Sequence, residues 1–322
     1  MNILITSIGK RVQLINHLKK TFKIIGVDSG DLVAGSFFVD KFYKAPTFDD
    51  CNYINVLVNI CKEEEVKLLI PLYEREFNIL CDKREIFDSI GVKLLLSSKE
   101  IINICNDKLL TSKFFKENKI SAPKDYSKEE INEFINDNKL PLNLIIKPRD
   151  GMGSQGIHKI NNVEELDFYY RYVKNPIVQE FIEGEEYTID ILCDFKGNPI
   201  YIIPRRRIEV RSGEVTKSKI VIDMNIIKRT KYLIEKLNNY KNSCIIGIQG
   251  PLTVQCFRKK NGDIVFLEIN PRFGGGVPLS FEAGADYGFC LKKLLIGESI
   301  EYFNIKLKEL TMVRFDEAFY IR

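Results

Sequence analysis

Residues 1–105 alternate short apolar runs with amphipathic helical patterns, and this alternation constrains the chain more than any other feature. Asn2–Thr6 reads as a strand, and a helical pattern follows through Val12, Leu14, Ile15 and Leu18. Ile24–Asp28 reads as a second strand and Tyr53–Glu65 as a long helix. Leu68–Pro71 reads as a buried strand, Phe77–Phe87 as a helix and Val92–Leu96 as a strand. Ser97 with Glu100 has the spacing of a capping box that opens the next helix. Such alternation predicts a parallel, doubly wound α/β sheet. The first turn, Ser7-Ile8-Gly9-Lys10-Arg11, lacks G-x-G-x-x-G, so no dinucleotide site is expected there.

The texture changes after residue 105. A helix carrying Lys108, Leu109 and Phe114 runs to Asn118, and Pro123 ends the segment. Ser127 and Glu130 form a second capping box, ahead of a helix with Ile131, Phe134 and Ile135 on one face. Strand Leu144–Lys147, a glycine-rich loop, strand Ile157–Ile160, a helix opened by Asn162 and Glu165, and strand Ile177–Glu180 complete the unit. Beyond Gly184 the chain reads mostly as antiparallel strands. Tyr187, Ile189, Ile191, Cys193 and Phe195 alternate with Thr188, Asp190, Leu192 and Asp194, which predicts a half-buried strand. The expected division is 1–105, 106–184 and 185–322.

Composition excludes several classes of chemistry. Among 322 residues, 48 Lys and Arg face 44 Asp and Glu, a net charge of only +4, which gives no reason to expect nucleic acid. Two histidines, His17 and His158, cannot build a multi-histidine metal site and leave little for a Ser-His-Asp triad. Any catalysis must run on lysine, arginine, carboxylates, amides and backbone groups. The eight cysteines form no C-x-x-C pair and read as reduced core residues. The N-terminus reads directly as a strand rather than a leader, and no apolar run approaches the ~20 residues of a membrane span, so a cytoplasmic protein without a membrane partner is expected.

Three constellations carry chemistry. The first runs from Lys147-Pro148 through Gly151, Gly153, Ser154 and Gly156. Glycines let backbone N–H groups approach an anion closely, and lysine adds fixed positive charge. The second is a hairpin turned at Asn261-Gly262. A two-residue turn pairs Lys260 with Asp263, which sets Gln255 opposite Glu268 and Thr253 opposite Asn270. Period two then puts Glu268 and Asn270 on one face and leaves Val254, Cys256, Val265, Leu267 and Ile269 on an apolar one. Three hard oxygen donors with one full charge suit Mg²⁺ shared with a phosphate. Arg272 follows on the same side, and Gly274-Gly275-Gly276 offers further backbone donors. The third is Glu180-Phe181-Ile182-Glu183-Gly184-Glu185-Glu186, where a strand ends in a linker whose backbone can face an adenine edge; an acidic turn reads equally well.

Taken in order, Asp107-Lys108, Lys147-Pro148 with Gly153-Ser154-x-Gly156, Glu180 to Gly184 with Glu186, Gln255, and Glu268-Ile269-Asn270-Pro271-Arg272 resemble the ATP-grasp superfamily, particularly its single-unit, carbamoyl-phosphate-synthase-like members. The resemblance covers essentially the whole chain. Ile70-Pro71 ahead of Glu74 and Glu76 is similar to the family's Rossmann-like lead domain. It implies an ATP-grasp core of two α+β halves behind that domain. It further implies that Lys108 and Lys147 contact ATP phosphates, that the Gly151–Gly156 loop covers the triphosphate, that Glu180, Phe181 and Ile182 read adenine, and that Glu186 takes the ribose. Gln255, Glu268 and Asn270 would hold one or two Mg²⁺ ions, with Mn²⁺ an allowed substitute, and Arg272 would stabilise a phosphorylated intermediate. The implied reaction joins a small-molecule carboxylate to an amine through an acyl phosphate, releasing ADP and phosphate. Phosphoryl transfer depends on positioning and charge neutralisation, which a histidine-poor chain can supply. A full carbamoyl-phosphate synthase large subunit carries two such units and works with a glutaminase. The alternatives are therefore a small-molecule kinase, a carbamoyl-phosphate-synthase-like enzyme, and a non-catalytic ATP-binding module. The basic stretch Arg205 to Lys217, with Arg211, is the expected substrate contact, against the reading of a solvated edge strand, and a homodimer is allowed.

Overall fold

The computed structural model describes residues 1–141, 143–151, 155–240, 247–301 and 307–321. The alternation of the first hundred residues builds a five-stranded parallel sheet from β1 (Asn2–Thr6), β2 (Lys23–Asp28), β3 (Lys41–Lys44), β4 (Val66–Pro71) and β5 (Lys93–Leu94), in the order β3-β2-β1-β4-β5. Helices α1 (Val12–Lys19), α2 (Tyr53–Glu63), α3 (Phe77–Asp82) and α4 (Arg84–Ser89) connect the strands. Ile3 and Ile5 of β1 pack toward α1, while Leu4 packs toward α2 and α3, so the sheet is covered on both faces.

Several boundaries differ from the sequence expectation. The helix expected over Phe77–Phe87 is two, broken at Lys83. The break turns Arg84 inward, where it donates to the carbonyls of Leu94, Leu96 and Ser97 at 3.1, 2.6 and 3.2 Å. Those carbonyls are thereby taken out of a ladder, and the strand expected over Val92–Leu96 shortens to β5. Ser98, not Ser97, caps α5 (Lys99–Asn106); Ser97 Oγ instead accepts from Gln249 N at 3.2 Å. Strand β3 was not anticipated, because Lys41-Phe42-Tyr43-Lys44 shows no apolar run.

After α5 and α6 (Lys108–Glu117), a small antiparallel sheet forms from β6 (Asp125–Tyr126), β7 (Leu144–Pro148), β8 (His158–Ile160) and β9 (Pro176–Glu180), in the order β6-β9-β7-β8. Helices α7 (Lys128–Asn136) and α8 (Val163–Tyr172) pack on it, and the Ser127–Glu130 capping box opens α7 as expected.

The large sheet is antiparallel, β14-β13-β10-β11-β12-β15, with β10 Glu185–Cys193, β11 Pro199–Arg211, β12 Glu214–Ile220, β13 Gly250–Arg258, β14 Ile264–Asn270 and β15 Thr311–Val313. Three helices that the strand-rich reading did not anticipate accompany it: α9 (Met224–Asn238), α10 (Pro278–Glu282) and α11 (Tyr287–Leu295). They account for a second difference, because β10 is buried on both faces rather than one. Ile189 and Ile191 pack against α9, α5 and α6, while Leu192 and its β11 neighbours Ile200 and Ile203 pack against α1, α10 and α11.

Asp190 sits on that second face. It takes a bidentate pair of bonds from Arg205 (2.6 and 3.0 Å) and one from Ser280 Oγ (2.6 Å), with both charged side chains essentially inaccessible. His17 is a core residue there too. It stacks on Phe281 at 3.8 Å and accepts from Tyr287 N, and burial lowers its pKa to about 4. The seven described cysteines are free, six of them buried or partly buried beside apolar neighbours, whereas Cys51 is exposed rather than in the core; Cys244 lies outside the described residues.

Removing one partner from a buried ion pair leaves an uncompensated charge, so Asp190→Ala should destabilise the protein by roughly 3–5 kcal/mol. Asp190→Ala combined with Arg205→Met should recover part of that loss, as read from denaturant midpoints. Additive losses in the double variant would contradict the pairing.

Candidate active site

The β13–β14 hairpin positions the oxygen donors. Gln255 pairs with Glu268 and Thr253 with Asn270, as the sequence arithmetic predicts. The route to that register differs, however. Nearer the turn the pairing is one residue out of step, with Cys256 opposite Phe266 and Arg258 opposite Ile264. Lys259 N bonds Asp263 O at 2.9 Å, so the loop holds three residues, closed by Gly262 at φ +88°. A bulge then restores the register, because Leu267 is the extra residue of β14. The bulge also corrects the expected apolar face. Val254, Cys256, Ile264, Phe266 and Ile269 form the core, whereas Leu267 lines the cleft beside Glu268.

That cleft, of about 680 Å³, lies among all three sheets. Gln255, Glu268, Asn270, Arg272, Lys108, Lys147, Glu180, Phe181, Ile182 and Glu186 all line it. Asn270 Nδ2 donates to Glu268 Oε1 at 3.0 Å, which orients the carboxylate beside the two amides. Among the described residues no three His, Cys, Asp or Glu side chains cluster as a metal site. A cation here would rest on one carboxylate and neutral amide oxygens, a donor set that fits Mg²⁺ completed by phosphate oxygens.

The cations enter from two elements. Asp107 caps α6 by accepting from Leu109 N and Leu110 N at 3.0 and 3.3 Å, and Arg149 Nε donates to it at 2.8 Å. Lys108 therefore points into the cleft from the first turn of α6, where its Nζ donates to Gly151 O at 2.6 Å. Lys147 projects from β7 and has no hydrogen bond or ion pair among the described residues. Burial lowers its pKa to about 8, with Glu268 opposing and Lys108 adding to the shift. Burial also lowers Lys108, offset first by Glu268 and then by Asp150 and Glu74. Glu268 is thus the first carboxylate to act on both lysines in a partly desolvated cleft, where a close anion favours their charged forms.

At the far wall, burial raises the Glu186 carboxyl, an effect opposed by Arg207, whose Nη1 lies 3.2 Å away. Phe181 N–H is already bonded to Asn143 O at 3.0 Å, so of the two linker amides that of Ile182, a residue lining the cleft, has no backbone partner among the described residues. Glu180 sits 3.7 Å from Lys259 Nζ.

Some expected residues are not brought to the cleft. Arg211 lies at the exposed tip of the β11–β12 hairpin, paired with Glu209 at 3.2 Å. Bulges at Arg207/Glu209 and Glu209/Val210 rotate the strand end outward, and the inward arginine is Arg207. Gly156, at φ +68°, packs against Pro148 and does not line the cleft. Gly153 and Ser154 lie outside the described residues. Glu74, Arg75, Asn78 and Phe48 of the lead sheet were missed as site residues. Glu74 accepts from Arg272 Nε at 2.7 Å. The signal was topological: the sheet reverses its winding between β1 and β4, and Glu74 follows the carboxyl end of β4, where doubly wound sheets bind ligands.

With this geometry, residues 105–276, more than half of the chain, match the family described as ATP-grasp domain, and residues 3–95 match a PylC-like N-terminal domain. The chain is 30% identical over 234 residues to a carbamoyl phosphate synthase large chain of a Thermoanaerobacter species, covering 68% of this chain but only 20% of that one. It is 28% identical over 233 residues to a tyramine–L-glutamate ligase of Methanocaldococcus fervens, covering 71% and 67%. Its fold matches the biotin carboxylase domain of Hydrogenobacter thermophilus 2-oxoglutarate carboxylase, a structure holding MgADP and bicarbonate, with a TM-score of 0.74 at 16% identity over 95% of this chain and 72% of that one.

A lysine whose pKa is depressed in the free protein regains its proton when a polyanion binds. Below pH 8 Lys147 is already charged; above it, binding must take up a proton. MgATP affinity should therefore fall as pH rises through about 8. The same shift makes this group's contribution to folding stability rise, not fall, between pH 8 and its ordinary pKa, because the unfolded chain holds the proton more tightly. Calorimetric titrations in buffers of different ionisation enthalpy should show proton uptake near pH 9 and little near pH 7. Lys147→Met should erase the difference.

Proposed function

The chain belongs to the ATP-grasp family, and on that premise we propose that it is an ATP- and Mg²⁺-dependent carboxylate–amine ligase that releases ADP and phosphate. The observation that carries the reading is the convergence of Gln255, Glu268 and Asn270 with Lys108, Lys147 and Arg272 in one cleft. In this reading residues 1–105 form the lead domain, and 106–184 and 185–322 form the two halves of the ATP clamp.

Ile182 N–H donates to the adenine edge, while Glu186, held by Arg207, accepts from the ribose hydroxyls. Lys108 and Lys147 bind the phosphates, and the loop from Gly151 to Gly156 covers them. Gln255, Glu268 and Asn270 would hold one or two Mg²⁺ ions, which when bound would neutralise the charge of the phosphates; Mn²⁺ would serve in their place. Arg272 holds the acyl oxygens during transfer. A substrate carboxylate oxygen attacks the γ-phosphorus and ADP leaves. The amine then attacks the acyl carbon, phosphate leaves with the C–O electron pair, and the amine gives up a proton. No side-chain base of unusual strength is required, which agrees with the shortage of histidine.

The chain spans about a fifth of the carbamoyl phosphate synthase large chains it matches, and the two-unit reaction of those proteins is not part of the proposal. Cytoplasmic residence belongs to it; among the described residues no helix is long and apolar enough to cross a membrane.

Purified protein supplied with MgATP, pooled carboxylates and pooled amines should release ADP and phosphate, and hydroxylamine should trap a hydroxamate. AMP and pyrophosphate would sink the acyl-phosphate route. ADP with a stable phosphoproduct would indicate a kinase, and nucleotide binding without turnover a binding module. Glu268→Gln should abolish Mg²⁺-dependent turnover while the thermal midpoint is kept; full activity would refute the hairpin cage.

A further inference from the structure

The lead sheet reaches the end of β14 with two arms, one from each loop at the point where its winding reverses. From the loop after β1, Arg11 Nη2 donates to Phe273 O and Gly274 O at 2.6 and 3.3 Å. From the turn after β4, Glu74 Oε1 accepts from Arg272 Nε at 2.7 Å. The contacts fall on consecutive residues, 272 to 274. Arg272 Nη1 also turns back to donate to Phe273 O at 3.2 Å, so two of its three guanidinium nitrogens are held by protein groups.

What relates the two arms is Glu76, a fully buried carboxyl group that the mechanism above does not use. Its Oε1 accepts from Thr6 Oγ1 at 2.8 Å and from Tyr73 N at 3.1 Å, and its Oε2 accepts from the Tyr53 hydroxyl. Thr6 is the last residue of β1, Tyr73 follows β4, and Tyr53 opens α2. One carboxyl group thereby joins the loop that carries Arg11 to the turn that carries Glu74. Glu74 begins the single 3-10 turn that Glu76 ends, so fixing Glu76 fixes the backbone from which Glu74 reaches Arg272. A buried carboxyl costs desolvation that an apolar side chain would not, and burial raises its pKa. What it supplies is geometry. Donors from three elements converge on its two oxygens, and none can shift without leaving a buried polar group unpaired.

We propose that Glu76 is a positioning residue for phosphoryl transfer: by tying Thr6 to Tyr73 it sets the spacing of Arg11 and Glu74, and so holds the Arg272 guanidinium in register with the cleft. This rests on the ligase reading above. It gives the lead domain a part in the chemical step, although the groups that bind ATP in that reading belong to the rest of the chain. Glu74 lines the cleft and Glu76 does not. Glu76 therefore acts through Arg272, on kcat rather than on nucleotide affinity. A displacement of about 1 Å in a group of this kind costs about a hundredfold in rate.

The test reads Arg272 directly, by nuclear magnetic resonance of the isotope-labelled full chain without substrate. The Arg272 Nε–H signal, assigned by its loss in Arg272→Lys, should exchange slowly with water because it is bonded to Glu74. Glu76→Ala should speed that exchange at least about tenfold, and Glu76→Gln, which keeps the shape and an acceptor oxygen, should restore most of the protection. Tyr53→Phe removes one donor and serves where Glu76→Ala does not fold; it should speed the exchange about threefold. Exchange equal to the wild type in every folded variant would overturn the proposal and leave Glu76 a core residue. A wild-type signal exchanging as fast as that of an exposed arginine would overturn it too. In the ADP-release assay, Glu76→Ala should lower kcat at least about tenfold and keep the MgATP KM within about twofold. A raised KM with kcat unchanged would contradict it. Wild-type protein that binds MgATP without turnover would instead sink the ligase reading, and the exchange measurement would still decide whether Glu76 positions Arg272.

Discussion

The buried pair of Asp190 and Arg205 fixes where the reactive end of the cleft can be. Both groups lie under the large sheet with almost no solvent contact, so their geometry tolerates little drift. Ser280 ties the pair to α10, and Gly274 and Gly276 pass so close to it that no side chain could intervene. The backbone after Asn270 therefore has one path. Arg272 leaves that path toward the cleft and meets Glu74 of the lead sheet, while Arg11 closes over the next carbonyls. A structural ion pair thus dictates the placement of groups that never touch it.

Electrostatics in the cleft follow from the same economy of residue types. With Glu268 facing two lysines and flanked by amides, that end of the cleft holds two cations in a partly dry space. A preformed cleft of this kind spends its desolvation during folding, so a polyanion entering it meets donors that are already oriented. Glu186 and Arg207 across the cleft form an ion pair, which separates their wall from the one that carries the lysines.

Much of this was legible in the sequence because it is local. Strand–helix alternation has a period that burial imposes, and the lead sheet follows it closely. The pairing of Gln255 with Glu268 and Thr253 with Asn270 was legible because Asn261-Gly262 marks a turn and strands alternate by two. The compensating shifts around Leu267 were not, since Gly262 closes two- and three-residue loops equally well. Contacts between distant parts of the chain left no local trace. Asp190 looked like the polar member of an alternating strand because Arg205 and Ser280 are its partners only in the fold. Glu74 and Arg11 reach residues 198 and 262 positions away. Bulges in β11 are invisible to a count by twos, so the outward turn of Arg211 and the pairing of Arg207 with Glu186 left no trace in the sequence.

The bulge at Leu267 has a bearing on how such a hairpin tolerates change. A turn of one length and a strand irregularity of the opposite sense cancel before Gln255 and Glu268 are reached. The two defects act as a slip joint. A residue gained at the tip can be taken up in the ladder, and the donors beyond it keep their partners. The tip is thus free to vary in length while the end carrying Gln255 and Glu268 stays in frame.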